Sequence, residues 1–322
     1  MPTHLAVAIV ARHATDALAQ ARALPAQVTL VEYRLDMMQQ VDVPRLAAET
    51  PLPAIFTCRP VAQGGQFSGS EAERRHILQQ ALATPHLVDV ELDTLPALHP
   101  FIRHPQQVIG SQHDFAGMLK DWETLEKQMR TRGAGIAKLV GMAATVDDVL
   151  SPLTWLARAT QPGIAIAMGP AGVATRLLAP RFPAAFLTFA SLATRSAPGQ
   201  VPVTALIHDY GFEHIARAHP LLVIFTPQPV PWEQVQRFRQ ALTRHIPHPQ
   251  AWLLPLPVTQ ISPPLLQALR LARVAGAFRL PGVNAVGPLQ NIVAWDLTSS
   301  QARTSSEFLS PRATLAFFSQ GL

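Results

Sequence analysis

Lysine is almost missing from this chain: of its 26 basic residues only Lys120, Lys127 and Lys138 are lysine. Cysteine occurs once, as Cys58, which excludes an internal disulfide and a cysteine-built zinc cage and fits a reducing cytoplasm. Charge of either sign is sparse, at 15% of 322 residues against roughly 25% in soluble domains. The net charge of +5 comes without a dense basic stripe, so nucleic acid is not an expected partner. No run of about 18 uncharged apolar residues occurs, and no membrane-spanning helix is expected. The apolar stretch 5–11 is short, lacks a basic segment before it and reads as a buried first strand, not a signal peptide. No G-x-G-x-x-G follows any strand-like run, so an open dinucleotide-binding sheet lacks its main signature.

What is present is an alternation. Short apolar or β-branched runs recur at 5–11, 27–32, 54–58, 87–92, 107–111, 135–140, 163–168 and 185–190. Between most of them the apolar spacing is helical. Ser70-Glu71-Ala72-Glu73 is a capping box opening a helix through Ile77, Leu78 and Leu82. Residues 114–130 set Phe115, Leu119, Trp122, Leu125 and Met129 on one face, and Thr145-Val146-Asp147-Asp148 starts another helix. Eight strands alternating with helices in about 205 residues suit a compact (β/α)8 barrel. After Pro202 the pattern changes to a strand at 221–226, a helix at 232–245 and a strand at 251–258. A helix follows, with Ser262 as N-cap, Pro263 in its first turn and its end at Gly276, then one more strand at 291–297. The expected fold is α/β: a TIM barrel over 1–207, a linker over 208–219 and a smaller C-terminal α/β domain over 220–322.

In a barrel the chemistry sits where strands end. Period-two alternation sends Glu32, Arg34 and Asp36 to one side. Arg59 ends the third run and is followed by Gly64-Gly65; His113 follows the fifth; Met168 and Arg176 follow the seventh; Ser196-Ala197-Pro198-Gly199-Gln200 follows the eighth. Lys138 interrupts the apolar run Ile136-Ala137-Lys138-Leu139-Val140. Each has a plain structural explanation. A lone strand lysine more often snorkels, a lone histidine is more often a hydrogen-bonded structural residue, and the acidic–basic trio can be a salt-bridge network. Arg176 can pair with a helix end, and Cys58 is most simply a small core residue. Yet an amine of ordinary pKa is neutral in only about one molecule in 2,500 at pH 7, and burial disfavours its ammonium. A buried Lys138 near a histidine would therefore suit imine chemistry on a carbonyl.

Together these segments resemble the type I 3-dehydroquinate dehydratases, the Schiff-base-forming lyases of the shikimate pathway, over about residues 5–206. Glu32-Tyr33-Arg34-Leu35-Asp36 resembles that family's E-x-R-x-D, and Phe56-Thr57-Cys58-Arg59 its F-T-x-R before a Gly-Gly pair. Ser111-Gln112-His113-Asp114-Phe115 resembles the segment of the catalytic histidine, and Lys138 stands where the family has its imine-forming lysine. The last match is Ser196-Ala197-Pro198-Gly199-Gln200 with S-x-P-G-Q. The resemblance implies Lys138 and His113 as catalytic residues. Glu32, Arg34, Arg59, Arg176, Ser196 and Gln200 would bind 3-dehydroquinate, with Met168 and Phe189 packed on its ring. It implies no metal or cofactor, because the lysine is the electron sink, and a cytoplasmic homodimer. One position departs: the family's glutamate before the Gly pair is Gln63 here, an amide that cannot take a proton. The resemblance then implies a working enzyme with a retuned histidine.

The C-terminal part resembles, more weakly, the substrate-binding half of shikimate dehydrogenases, through 251–258 and Gly276-Ala277-Phe278-Arg279-Leu280-Pro281. The Asn and Thr of that family's N-V-T-x-P, its S-x-S pair and its catalytic lysine are missing. The expectation is a degenerate remnant kept for packing, dimerisation or regulation, with a small-molecule sensor domain as the alternative. Two competing functions remain: an inactive barrel serving as a scaffold or metabolite binder, and a sugar-phosphate aldolase, which lacks here the Gly-rich phosphate loop near the last strands.

Overall fold

A computed structural model of the chain describes residues 2–192, 194, 197–216, 220–230, 232–243, 252–279, 282–285 and 294–296. All eight expected barrel strands are there: β1 (His4–Ile9), β2 (Leu30–Arg34), β3 (Ala54–Thr57), β4 (Leu87–Glu91), β5 (Val108–Asp114), β6 (Ile136–Met142), β7 (Gly163–Met168) and β8 (Leu187–Ser191). They pair in parallel in the order β7-β6-β5-β4-β3-β2-β1-β8, and the short β9 (Val201–Pro202) adds beside β8. The ring closes at its base through a Gly163–Ala185 bridge, where the Phe186 N–H donates to the Gly163 carbonyl at 2.8 Å. Above that bridge no ladder joins β7 to β8 among the described residues.

The period of two sorts each strand's side chains. Outward residues such as Val88, Val90, Ala137 and Leu139 pack under the helices. These helices are α1 (Ala14–Arg22), α2 (Val43–Glu49), α3 (Glu71–Leu82), α4 (Leu95–Leu98), α5 (Trp122–Thr131), α6 (Leu150–Arg158) and α7 (Val173–Leu178). Inward residues make a second core: Leu30, Ile55, Ile109, Ile136, Ile164 and Leu187 fill the base of the barrel. One step further along β2 to β6 the inward positions turn polar, with Glu32, Thr57, Asp89, Ser111 and Lys138, all buried. Both faces of every strand are thus covered, which is why the strands read as apolar runs with isolated polar interruptions.

Local signals account for most boundaries. Ser70 and Glu73 form the expected reciprocal capping box on α3, and Thr145 with Asp148 forms another ahead of α6. The helix expected over 114–130 begins only at Trp122. Asp114 accepts the N–H groups of Ala116 and Gly117, which turns the chain away, so Phe115 and Leu119 precede the helix. β5 also runs further than expected, and His113 lies on the strand itself.

Residues 208–219, read as a linker, include the end of α8 (Val203–His208) and all of α9 (Phe212–Ile215), with Phe212 and Ile215 buried. Beyond them β10 (Leu221–Thr226), α10 (Trp232–Thr243), β11 (Trp252–Pro257), α11 (Pro263–Leu271) and β13 (Gly276–Arg279) form a second α/β unit, with short β12 (Gln260–Ile261) and β14 (Asn284–Ala285) paired to each other. Its main sheet has the order β11-β10-β13-β15, where β15 (Ala294–Asp296) is antiparallel to β13. The strand expected at 291–297 is described only over those three residues; of the apolar face that 235, 238 and 242 would form on the expected helix, Val235 is buried and the Phe238 and Leu242 side chains lie outside the described residues. Ser262 caps α11 as expected, but the helix stops at Leu271, not Gly276. Arg273 takes a left-handed conformation (φ 54°) and the Val274 N–H returns to the Leu269 carbonyl at 3.0 Å.

The second unit packs on the barrel through α6 and α7. α11 lies against α6, α9 and β11 against α7, and one apolar core runs through both units. Ser262 also donates to Asp147 in the turn before α6. Leu269→Ala, which empties a fully buried site in that shared core, should lower unfolding free energy by about 2–5 kcal/mol, measured by urea titration.

Candidate active site

Ten of the eleven side chains singled out from the sequence line one cleft at the C-terminal mouth of the barrel. Glu32, Arg34, Arg59, Gln63, His113, Lys138, Met168, Arg176, Phe189 and Gln200 surround about 490 Å³ of space, its open mouth included. Ser196 lies outside the described residues.

The centre of the cleft is ionic. Lys138 on β6 is 5% exposed, and its Nζ donates to Asp89 Oδ2 at 2.7 Å and lies 3.7 Å from Glu32 Oε1. The same ammonium stands 4.6 Å from the centre of the Phe189 ring, a cation–π distance. Burial of this lysine therefore comes with two carboxylate partners and not with an apolar sleeve. Arg59, at the end of β3, donates to Asp89 at 2.8 Å, to Glu91 at 2.9 Å and to Ser111 Oγ at 3.0 Å. Glu91 also accepts from Arg74 of α3 at 2.6 Å, and Arg74 reaches the Cys58 carbonyl at 3.0 Å. Each buried charge of this ionic group has an opposite partner, as the cost of burying an unpaired charge favours. Burial alone would raise the Asp89 carboxyl, but Arg59 and Lys138 outweigh it and hold it well below the usual carboxylate range.

The acidic–basic trio, Glu32 and Arg34 on β2 and Asp36 in the turn after it, does not act as one network. Arg34 closes a bidentate pair with Asp36 (2.9 and 2.7 Å), while Glu32 accepts from Thr57 at 2.8 Å and faces Lys138. Cys58 is fully buried, and burial pushes its thiol up to about 12, as fits an inert core residue.

His113 stands two residues beyond Ser111, which pairs with Lys138 across β5 and β6, so His113 and Lys138 share the barrel interior. Its ring stacks on Phe115, and its Nδ1 lies 3.4 Å from an Arg59 NH group. A guanidinium only donates, so Nδ1 carries the lone pair in this contact. Burial, with the positive charges of Arg59 and Lys138, pushes the imidazole well below 6.5. Gln63 reaches His113 through the main chain: its Oε1 accepts the His113 backbone N–H at 3.0 Å. The Gly pair makes that reach possible. A Cβ on Gly65 would stand 2.0 Å from the Arg59 carbonyl, so only glycine lets the loop fold back on the end of β3.

On the opposite wall the chemistry changes. Arg176 projects from α7 and is fully buried; among the described residues its guanidinium meets only the Pro198 carbonyl, at 3.4 Å, and its Nε has no partner. Burial pushes its guanidinium down to about 10, which leaves it protonated at neutral pH. It is the one described arginine or lysine of the cleft without a carboxylate. Met168, Ile166 and Phe189 line an apolar side next to it. The segment carrying Gln200 seats on the end of β7, where Gly199 (φ 71°) would place a Cβ 2.4 Å from the Gly169 carbonyl.

Sequence reasoning missed Asp89 and Glu91. The signal was present in Leu87-Val88-Asp89-Val90-Glu91-Leu92, where two acids at alternate positions of an apolar run both face the interior. Ser111, named in the sequence only as a neighbour of His113, donates to Asp89 at 2.5 Å. Asp89→Asn leaves two buried cations short of a partner and should cost about 3–5 kcal/mol of stability. Glu49→Gln, which breaks half-exposed pairs with Arg22 and Arg45, should cost about 0–1 kcal/mol in the same denaturant titration.

Comparison with known proteins bears on this cleft directly. A family model described as Type I 3-dehydroquinase matches residues 5–217. The chain is 32% identical over 199 residues to a bifunctional 3-dehydroquinate dehydratase/shikimate dehydrogenase of Arabidopsis thaliana, covering 58% of this chain but only 33% of that relative. It is 34% identical over 196 residues to the 3-dehydroquinate dehydratase of Methanosarcina barkeri, covering 54% of this chain and 81% of that one. Among solved structures, the 3-dehydroquinate dehydratase of Geobacillus kaustophilus superposes with a TM-score of 0.54 at 26% identity, over 64% of this chain and 88% of that one. A dehydroquinate dehydratase and shikimate dehydrogenase structure from S. pombe reaches a TM-score of 0.55 at 21% identity and covers 90% of this chain and 57% of that one, a likeness of fold that extends past the barrel. The matched stretch contains every residue that lines the cleft, and the chain belongs to the type I 3-dehydroquinase family.

Proposed function

We propose that this chain dehydrates 3-dehydroquinate to 3-dehydroshikimate through an imine on Lys138. The observation that carries the reading is a buried lysine inside the cleft, with a histidine on the neighbouring strand and an unpaired arginine on the opposite wall. Lys138, once deprotonated, adds to the substrate ketone and water leaves, giving a protonated imine. That imine accepts the electron pair released when His113 takes the proton from the adjacent carbon. The hydroxyl on the next carbon then departs as water with the proton held by His113, and hydrolysis of the imine returns the amine. The net change is loss of one water.

The remaining roles follow from charge and shape. Arg176 takes the substrate carboxylate, which gives its unpaired guanidinium the anion it lacks. Glu32, Arg34, Arg59, Gln200 and Ser196 bind the hydroxyls, and Met168 with Phe189 packs on the ring. Gln63 tunes His113 and does not replace it. The domain reading is a barrel over 1–207 joined through 208–219 to a degenerate shikimate dehydrogenase-like unit over 220–322; the fold likeness to the S. pombe protein supports that origin. No helix among the described residues is long and apolar enough to cross a membrane, and we place the enzyme in the cytoplasm as a homodimer.

Purified protein mixed with 3-dehydroquinate should develop the absorbance of a conjugated enone. Borohydride added with substrate should leave a stable adduct on the peptide containing Lys138; no mass increase there would exclude the imine and favour an inactive metabolite binder. The pH dependence has a definite sign. His113 acts as a base only when neutral, and its pKa lies below 6.5. The acid limb of kcat/KM should therefore lie below pH 6.5, with no loss between neutrality and that point. Gln63→Glu adds a carboxylate beside His113, should raise its pKa and should move that limb toward neutral pH; an unchanged profile would uncouple Gln63 from the histidine.

A further inference from the structure

Arg176 is held in an unusual way for a residue that meets substrate. Among the described residues no side chain bonds its guanidinium, and its position follows the backbone of α7. That helix has no solvent face: all six of its residues are buried. On the barrel side, Thr175 bonds both the Ala167 N–H and the Gly172 carbonyl, and Thr188 of β8 donates to the Arg176 carbonyl at 3.0 Å. On the other side stand α9 of the connecting segment and β11 of the second unit.

The turn that ends α7 ties it to that unit. Arg181, five residues after Arg176, donates to the carbonyls of Ala272 (2.9 Å) and Arg273 (3.0 Å) just past α11, and to the carbonyl of Ile215 (3.2 Å) at the end of α9. Carbonyls at helix ends lack partners within the helix and carry partial negative charge, so a fork of guanidinium donors suits them. α9 is braced in turn by Trp252, whose Nε1 donates to the Tyr210 carbonyl at 3.1 Å and whose ring stacks on His214. Gly211 (φ 64°) makes that approach possible, because a Cβ there would lie 1.9 Å from the Trp252 ring.

We propose that Arg181 is a positioning residue for substrate binding, and that the second unit acts through it to hold α7 so that Arg176 meets the substrate carboxylate. This rests on Arg176 taking that carboxylate in the proposed reaction. The second unit is then part of the binding machinery of the barrel, although none of its described residues lines the cleft.

The test uses the full chain and two variants, Arg181→Ala and Arg181→Lys. KM for 3-dehydroquinate should rise about tenfold in Arg181→Ala, with kcat within about twofold. Arg181→Lys restores the charge but not the fork, and its KM should fall between the two. Calorimetry with quinate, a hydroxylated cyclohexane carboxylate without the ketone, should show the same order of Kd, because it needs the carboxylate site and not the imine. A fall in Tm without a change in KM or Kd would reduce Arg181 to a structural clamp and overturn the proposal. Should Arg181→Ala fail to fold, an unchanged KM and Kd in Arg181→Lys overturns it equally. If the intact chain makes no enone, the proposed reaction fails by itself, and the quinate Kd values still decide the role of Arg181.

Discussion

The Arg59 guanidinium is the joint on which the cleft depends. It sits between Asp89 and Glu91, touches Ser111 and His113, and hands the charge on in both directions. On one side Asp89 passes to Lys138 and Glu32; on the other Glu91 passes to Arg74 and so to α3. Burying such charges is tolerable only because each is paired. Asp89, Glu91 and Glu32 face Arg59, Lys138 and Arg74, Arg74 also pairs with the half-exposed Glu71, and Arg34 pairs with Asp36 separately. Arg176 alone among the described cations of the cleft has no carboxylate beside it. The network also ties elements far apart in sequence, from β2 to β6, so it orients the reacting groups and holds the mouth of the barrel together.

Much of this was legible in the sequence, for physical reasons. A strand covered on both faces reads as an apolar run, so all eight barrel strands stood out, and a lysine within such a run was conspicuous in a chain that hardly uses lysine. The capping boxes at Ser70 and Thr145 work through neighbours three residues apart and were readable for the same reason. What escaped depended on partners distant in sequence. Asp89 and Glu91 gain their meaning from Arg59 and Lys138, which only the closed sheet brings beside them. The late start of α5 turned on Asp114 bonding its own main chain in preference to a helix, a local competition that apolar spacing does not register. Arg181 gave no signal at all, since its partners are backbone carbonyls some 34 to 92 residues away.

The second unit changes what the barrel is. A helix on the outside of a free-standing barrel keeps a polar face for water; α7 keeps none, because α9 and β11 cover it. The shared core makes the two units one folding problem despite their separate sheets. The outer faces of α6 and α7 pack on α11, α9 and β11, so a substitution on those packing surfaces also reaches the barrel.

Among the described residues the barrel is fastened between β7 and β8 only at the Gly163–Ala185 bridge. Arg176 is rooted in a helix of the outer layer, whereas Lys138 and His113 sit on laddered strands of the ring. The arginine on one side and the lysine–histidine pair on the other are thereby mounted on separate frames.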